Sequence, residues 1–244
     1  MKPARSPVRR KKLWIRILRI TAQLAYGILI ATSLLGRNFI VTAVLLAGSL
    51  LFGAWFCGWL CPFGAVQEWI SRLGRRILGR QYRVPRVLDR YLKYLRYLLL
   101  AAGLAGLGFL AFASRPYQTF LGALTLNTAY ITLPAWGLLA LFLAASFFLE
   151  RPFCRYFCTE GAGYGALSLC RVFSIRRHTS SCLACGACDR VCPAGIRISK
   201  KKYIRDHHCI NCLECLAACP VQGALTYSFI IKKPLKEKTC ETVT

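Results

Sequence analysis

Two cysteine-rich stretches near the C-terminus decide the fold of that part of the chain: residues 182–193 read CLACGACDRVCP, and residues 209–220 read CINCLECLAACP. Each has the spacing Cys-x2-Cys-x2-Cys-x3-Cys-Pro. Soft thiolate ligands at this spacing wrap a cubane iron–sulfur cluster, and the fourth cysteine of each run reaches the other cluster. The spacing therefore predicts two 4Fe–4S clusters. Their predicted ligands are Cys182, Cys185, Cys188 and Cys219 for the first, and Cys209, Cys212, Cys215 and Cys192 for the second.

Structural zinc, disulfide bonds and covalent haem account for this spacing less well. Structural zinc uses pairs of CxxC motifs and needs no run that ends in Cys-Pro. A disulfide framework is typical of small secreted domains, and a covalent c-type haem needs a CxxCH motif, which the sequence lacks. We therefore expect a carrier of single electrons, with a small α+β domain of the bacterial two-cluster ferredoxin type over residues 178–230.

The rest of the sequence is unusually apolar. Of the 244 residues, 56% are hydrophobic, which favours a membrane protein over a soluble domain of this size. Four apolar stretches each approach the roughly 20 residues that a helix needs to cross a bilayer. The predicted fold class is therefore an α-helical integral membrane domain with four transmembrane helices, followed by the ferredoxin domain. The four stretches run over about residues 17–35, 39–59, 97–113 and 131–149.

The basic residues indicate the orientation. A net charge of +25 suggests nucleic acid as the partner of a soluble protein. Here, however, all but two of the 34 Lys and Arg residues fall on one side of the four predicted helices, the exceptions being Arg37 and Arg115. The positive-inside rule makes that side the cytoplasm. We expect a multi-pass protein of the inner (cytoplasmic) membrane in contact with the lipid bilayer, with both termini and the ferredoxin domain cytoplasmic, and no binding of nucleic acid.

The second and fourth apolar stretches end alike, in FCGWLCPFGA (residues 56–65) and FCRYFCTEGA (residues 153–162). Cysteines that merely pack as small hydrophobic residues do not explain why one spacing occurs twice in matching places. The repetition predicts a membrane domain built from two copies of a two-helix unit, related by an axis along the membrane normal.

The four cysteines of these motifs are candidates for a further site. Cysteines four residues apart share a face if the motif is helical, so the four thiols are expected to meet beside the ferredoxin domain. Three interpretations stay open: an additional metal site, redox-active thiol pairs, or docking contacts. Pro62 has no counterpart at Thr159, which leaves open whether the second copy is altered. The four residues are Cys57, Cys61, Cys154 and Cys158.

These predictions divide the chain into five segments. A basic cytoplasmic N-terminus and a basic tail flank the two domains, and a linker or re-entrant segment joins them. Cys170 and Cys240 belong to neither cysteine pattern and are expected to be inert. The predicted bounds are 1–16 for the N-terminus, 17–160 for the membrane domain, 161–177 for the linker, 178–230 for the ferredoxin domain and 231–244 for the tail.

Over about residues 13–228 the chain resembles the membrane polyferredoxins of the NapH/NosR type. The resemblance rests on the Cys-x3-Cys-Pro helix end at residues 57–62, its copy without proline at residues 154–158, and the two complete cysteine runs. It implies that electrons are taken from membrane quinol and passed towards a periplasmic reductase, such as nitrate or nitrous oxide reductase. The NosR type adds a large N-terminal periplasmic flavin domain. Because the first apolar stretch here begins near residue 17, we expect this chain to be nearer the NapH type.

The expected function is electron transfer between the quinone pool and a respiratory reductase. The chain would then be an electron-transfer subunit of a quinol dehydrogenase-type complex, with other redox subunits (ferredoxin-like or cytochrome) as partners and quinone as a candidate cofactor. Two alternatives stay open: an accessory metal or thiol reductase in metalloenzyme maturation, and a membrane redox regulator. No catalytic residue is predicted. Spacing alone sets no direction of electron flow, because such clusters have reduction potentials from about −700 to +450 mV.

Overall fold

The computed structural model describes residues 7–32, 39–79, 82, 84–106, 115–127 and 131–230. The predicted tail, most of the connection around Arg37 and the end of the third apolar stretch lie outside the described residues. The described part is mostly helical. Its α-helices are α1 (Pro7–Ala31), α2 (Phe39–Phe52), α3 (Trp55–Trp59), α4 (Pro62–Leu78), α5 (Arg86–Leu104), α6 (Arg115–Leu124), α7 (Leu133–Phe148), α8 (Pro152–Tyr156), α9 (Thr159–Leu167), α10 (Ala187–Arg190) and α11 (Glu214–Ala218).

Helix α1 is the one helix in the described residues that is long and apolar enough to cross a membrane. Its apolar segment, Lys11–Ala31, has 21 residues and a mean hydropathy of 1.4. Two of its large side chains, Trp14 and Ile28, are 60% and 63% exposed, as expected of side chains that face lipid. The apolar helices over Ala43–Phe52 and Leu133–Phe148 are shorter. Four spanning helices therefore stay a prediction.

The apolar stretch at residues 39–59 is not one helix. Helix α2 ends at Phe52, and Gly53 then adopts a left-handed backbone with φ +75° before α3 begins. Glycine reaches this conformation without steric cost, so the chain turns there although the sequence on both sides is apolar. Hydropathy alone does not register such a turn.

The two segments that carry the Cys-x3-Cys motifs have the same order of elements. An apolar helix (α2 or α7) is followed by a five-residue helix (α3 or α8) and then by a helix that begins directly after the second cysteine (α4 or α9). The segments pack together through α4 and α7. Phe63 and Phe153 are fully buried there, with ring centroids 5.2 Å apart. The symmetry axis itself stays a prediction.

The chain from residue 161 to 177 holds regular structure. Helix α9 packs against α2 and α5, and its Ala162, Tyr164 and Gly165 are buried. A short 3-10 turn, Ser168–Cys170, leads from α9 into strand β1 (Phe173–Arg177). We refer below to residues 7–170 as the helical region and to residues 173–230 as the ferredoxin region.

The ferredoxin region is a small α+β unit, as predicted. Strand β1 pairs antiparallel with β2 (Leu225–Phe229), so that Phe173 lies opposite Phe229. The two cysteine runs, with the short helices α10 and α11, lie between these strands in sequence. Ile175, Ile198 and Ile204 form its core together with Leu225, and the cysteine side chains pack against that core.

Candidate functional site

The structure groups the first predicted ligand set around one cavity. The cavity has a volume of about 20 Å³ and is lined by Cys182, Cys185, Cys188 and Cys219. Cys219 comes from the second cysteine run, which is the exchange of the fourth ligand that the spacing predicts. This end of the region is open to solvent: Cys185 is exposed, and the side chain of Leu183 is 72% exposed.

The second predicted ligand set is buried. Cys209, Cys212 and Cys215 are 9%, 8% and 6% exposed. Burial raises the pKa of Cys212, Arg19 lowers it, and the neighbouring Cys192 and Cys209 add to the rise, so that the pKa is about 12. Burial likewise raises the pKa of Cys192 to about 11, with Cys209 adding to the shift. The four thiols therefore lie near one another, and only a bound metal centre would keep them ionised at neutral pH.

Each helix-end pair places its cysteines on two elements. Cys57 and Cys154 lie within the short helices α3 and α8, whereas Cys61 and Cys158 are the N-cap residues of α4 and α9. The Cys61 thiol accepts a hydrogen bond from the Gly64 amide at 3.5 Å, and the Cys158 thiol accepts one from the Gly161 amide at 3.2 Å. The expectation of one shared helical face is thus wrong, because the helix breaks before each second cysteine.

The missing proline does not distort the second copy. Helix α9 begins at Thr159 just as α4 begins at Pro62, and the capping sulfur accepts the same kind of hydrogen bond in both. Proline suits the first turn of a helix because it has no amide hydrogen to satisfy, but threonine is also accommodated there. The two motifs are therefore equivalent in local geometry.

All four helix-end cysteines line one cavity, as predicted. This junction cavity has a volume of about 50 Å³ and lies between the helical and ferredoxin regions. Four cationic residues also line it. The sequence interpretation missed them, although Arg155 directly follows Cys154 and Arg151 lies three residues before it. The helical region contributes Cys57, Cys61, Cys154, Cys158, Lys93, Arg96, Arg151 and Arg155, together with Ala54, Phe56, Tyr117, Glu160 and Gly161, and the ferredoxin region contributes Pro193, Ala194, His207, His208 and Ile210.

The loop of the second ligand set docks on the helix ends. The Trp59 indole N–H donates to the Asn211 carbonyl oxygen at 2.9 Å, and the Asn211 side-chain amide donates to the Phe52 carbonyl oxygen at 2.9 Å. Gly58 lies directly against the Ile210 carbonyl oxygen, with no room for a Cβ atom. A Cβ atom on Gly165 of α9 would lie 2.6 Å from the His207 carbonyl oxygen.

A buried charge network fixes the same interface. The Glu68 carboxylate of α4 pairs with Arg19, Arg72 and Arg151, and Arg19 also donates to Glu214 of the ferredoxin region at 3.2 Å. Burial on its own raises the pKa of Glu68, but the three guanidinium groups outweigh it and hold the pKa at about 2. Glu68 is therefore ionised, and it anchors cations from separate parts of the helical region.

Arg151 connects this network to the helix-end cysteines. It adopts a left-handed backbone with φ +52°, which is uncommon for a residue other than glycine. Its guanidinium donates to the Cys57 carbonyl oxygen at 3.1 Å as well as to Glu68. Arg155 donates to Asp89 at 2.7 Å and to the Pro193 carbonyl oxygen at 3.3 Å. Both arginines thus join the cysteine motif to neighbouring elements.

Two family models match the chain. One, described as a 4Fe-4S binding domain, matches twice, over residues 34–81 and 132–176, so that each match contains one helix-end pair. The other, described as a 4Fe-4S dicluster domain, matches residues 174–220, which contain both cysteine runs. No solved structure matches the chain.

Several curated proteins are similar in sequence. YccM of Escherichia coli (strain K12), named as a putative electron transport protein, is 34% identical over 78% of this chain and 55% of its own length. Uncharacterized protein MJ0750 of Methanocaldococcus jannaschii is 31% identical over 81% of this chain and 82% of its own. Protein NirI of Paracoccus denitrificans is 34% identical over 75% of this chain and 28% of its own.

The chain therefore spans about half the length of YccM, more than four fifths of MJ0750 and a smaller part of NirI. Relatives named "Regulatory protein NosR" and "Ferredoxin-type protein NapH" match at 31% and 27% identity. The family models and these relatives confirm the resemblance drawn from the cysteine motifs. The chain belongs to the NapH/NosR-type polyferredoxins.

Proposed function

We propose that the chain is a membrane-bound iron–sulfur electron-transfer subunit that passes electrons between the quinone pool and a respiratory reductase. One observation carries the proposal: the second predicted ligand set is docked against the helix ends, whereas the first lies towards solvent. A protein arranged in this way has one face for a redox partner and one for the membrane-embedded part of the pathway.

The twin cysteine runs supply the ligands. Cys182, Cys185, Cys188 and Cys219 hold the first 4Fe–4S cluster, and Cys209, Cys212, Cys215 and Cys192 hold the second. The cavity lined by the first four and the mutual burial of the second four support this assignment. Bound clusters of this type supply one-electron transfer, with a potential set by charge, hydrogen bonds and exposure.

The exposed face suits an acidic partner. Arg197, Lys200 and Lys201 of the ferredoxin region line an open cavity together with Asp89, Asp189 and Asp206. Arg205 is exposed in the same region, and the whole chain has a net charge of +25. Complementary charge speeds the encounter of redox proteins. The partner is a ferredoxin-like or cytochrome subunit, and a reductase receives or supplies the electrons at the end of the pathway.

The same chain lies in the inner membrane with its ferredoxin region and both termini in the cytoplasm. Helix α1 and the asymmetric distribution of basic residues support this placement. The proposed segments are those predicted from the sequence, with a membrane domain over residues 17–160 and a ferredoxin domain over residues 178–230. Quinone is the proposed diffusible electron carrier in the bilayer.

Cluster reduction in the purified protein tests this function. The full chain in detergent, with its clusters oxidised, is mixed anaerobically with a soluble quinol, and reduction is followed by electron paramagnetic resonance. We expect reduction by quinol within seconds to minutes. Clusters that stay oxidised with quinol but are reduced by a reduced soluble ferredoxin would refute the quinol part of the proposal.

The two alternative functions predict different experimental results. An accessory metal or thiol reductase would act through the helix-end cysteines, so C57S/C61S protein would fail to reduce an added cupric ion or disulfide while its quinol reaction continued. The relative named "Regulatory protein NosR" suggests a redox regulator. It would show a cluster-dependent change in binding to a partner without net electron transfer.

A further inference from the structure

The helix-end cysteines meet at one place although they come from two separate parts of the chain. Four thiols from α3, α8 and the N-caps of α4 and α9 line the one junction cavity. Its volume of about 50 Å³ is several times the roughly 10–15 Å³ that one water molecule needs. It also exceeds the cavity of about 20 Å³ at the first ligand set of the ferredoxin region. The junction cavity is thus no tighter than the cavity where the sequence predicts a four-iron cubane.

Four cationic residues line the cavity against one carboxylate, that of the exposed Glu160, so the charge of its wall favours an anionic occupant. Lys93 and Arg155 share the carboxylate of Asp89, and Arg151 shares that of Glu68 with two other arginines. Arg96 is only 4% exposed and donates to neutral acceptors, the Tyr97 hydroxyl and the His207 carbonyl oxygen. No ion pair of Arg96 with a carboxylate is present in the described part of the chain. A buried cation in this situation is stabilised by a negative group in the cavity.

Several buried nitrogen atoms of the cavity wall have no hydrogen-bond partner among the described residues. They are Arg96 Nε, Arg151 Nε, Arg155 Nε, His207 Nε2 and His208 Nδ1. Arg151, like Arg96, is only 4% exposed. A buried donor without a partner is costly, so the three guanidinium Nε–H groups around one cavity point to an absent acceptor. The sulfur atoms of an iron–sulfur cluster accept hydrogen bonds of this kind.

The spacing of the thiols argues against a single metal ion. Zinc bound by four thiolates at about 2.3 Å in a tetrahedron holds its sulfur atoms roughly 3.8 Å apart. In the described residues, one group of three or more His, Cys, Asp or Glu has its ligand atoms all within 4.8 Å, and it is Asp206, His207 and His208. No three of the helix-end thiols are that close. The same holds for the two ligand sets of the ferredoxin region, where the bound group is a four-iron cubane.

Reactive thiol pairs fit the cavity less well than a cluster. All thirteen cysteines in the described residues are free, so neither helix-end pair forms a disulfide. Redox-active thiols need access for a reaction partner and a lowered pKa. Cys61 is buried, and the other three helix-end thiols are only partly exposed, so a reaction partner has little access to them.

From these observations we infer that Cys57, Cys61, Cys154 and Cys158 together hold a third 4Fe–4S cluster at the junction of the two regions. Arg96, Arg151, Arg155 and Lys93 balance its charge. The wall of the site includes Pro193 and Ala194, directly after Cys192, and His208 and Ile210, on either side of Cys209. The third site therefore shares a wall with the second ligand set. It stands independently of which partner donates or accepts the electrons.

Metal content tests the inference directly. The full chain is purified anaerobically in detergent, its clusters are reconstituted with ferrous iron and sulfide, and iron, acid-labile sulfide and zinc are measured beside native mass spectrometry. We expect about 12 iron and 12 sulfide per chain, for three clusters of four. The variants C57S/C61S and C154S/C158S should each hold about 8 of each. C170S is the matched control, because Cys170 is exposed and lies outside all three sites; it should keep about 12.

Each alternative result is decisive. A wild-type content of about 8 iron, double variants with the wild-type content, or one zinc ion per chain bound through these cysteines would overturn the third site. The native mass of the wild-type chain counts the clusters even if a double variant does not fold. A chain with two clusters that quinol still reduces would refute the third site alone, whereas a three-cluster chain that ignores quinol would refute only the proposed function.

Discussion

Gly58 lies directly against the main-chain carbonyl oxygen of Ile210, and this contact leaves no space for any side chain. Gly58 lies next to Cys57 of a helix-end pair, and Ile210 lies next to Cys209 of the second ligand set. The contact therefore brings together two cysteine patterns that are widely separated in the sequence. The hydrogen bond from Trp59 to the Asn211 carbonyl oxygen fixes the same approach one residue further on.

Adding a methyl group at either glycine contact should loosen the docking of the ferredoxin region. We expect G58A and G165A to lower the melting temperature and to speed proteolysis of the ferredoxin region in the detergent-solubilised protein, because overpacking costs about 1–3 kcal/mol. G163A is the matched control, because a Cβ atom on Gly163, also on α9, meets nothing within 4 Å. If G58A had the melting temperature and the proteolysis rate of the wild type, the interface would accommodate the added methyl group without loss of stability.

Removing the Glu68 charge should destabilise the protein by about 3–5 kcal/mol, because buried arginines then lose their carboxylate. The pKa of Glu68 is about 2 in the folded state against an ordinary value of 4.5. Its stabilising charge is therefore fully present above about pH 4.5 and is lost only as the pH falls towards 2.

The expected difference in melting temperature between wild type and E68Q is on the order of 10 °C, and it should be constant between about pH 6 and pH 8. E150Q is the control: the Glu150 side chain is 22% exposed and pairs with the half-exposed Arg75 at 3.7 Å, so losing its charge should lower the melting temperature much less than E68Q does. A difference that shrinks towards pH 6 would contradict the low pKa of Glu68.

The exchange of the fourth ligand between the two runs predicts which serine variants behave alike. C219S should weaken the same cluster as C182S, although Cys219 lies in the other run, because Cys219 and Cys182 line one cavity. C192S should resemble C209S instead. Electron paramagnetic resonance of the reduced proteins tests this grouping: C219S and C182S should lose one cluster signal, and C192S and C209S should lose the other. If C219S lost the same signal as C209S, the cross-ligation would be wrong.

The two proposed clusters of the ferredoxin region should differ in resistance to attack. Cys185 is exposed at the first site, whereas Cys209, Cys212 and Cys215 are buried at the second. A chelator or oxygen should therefore remove the first cluster several-fold faster. Iron release and the decay of the two resonance signals, followed together over time, measure this order. Simultaneous loss would mean that the ferredoxin region opens as a whole.

The sequence was most informative where ligands lie close together in the chain. The spacing of the two runs predicted both ligand sets, and the repeated Cys-x3-Cys motif predicted that four further thiols would meet. Backbone breaks were harder to predict, because Gly53 interrupts an apolar run whose composition alone is typical of a continuous helix.

Contacts between distant segments could not be predicted. Glu68 and its three arginines come from separate parts of the chain, and a single sequence holds no signal that pairs them. The cations of the junction cavity were visible only as positive charge beside Cys154. The sequence relates the basic surplus to membrane orientation, yet Arg19 and Arg151, which belong to it, lie buried within the protein.

The ion pair between Arg19 and Glu214 also has a consequence for biosynthesis. The two residues are 195 positions apart, so their contact forms only when nearly the whole chain has been translated. Arg19 pairs with two carboxylates, those of Glu68 and Glu214. Glu68 is translated early and can neutralise Arg19 before Glu214 has been made. We therefore expect the helices to assemble before the ferredoxin region docks on them. A ferredoxin region that folds around its metal late in synthesis would then contact helix ends that are already in place.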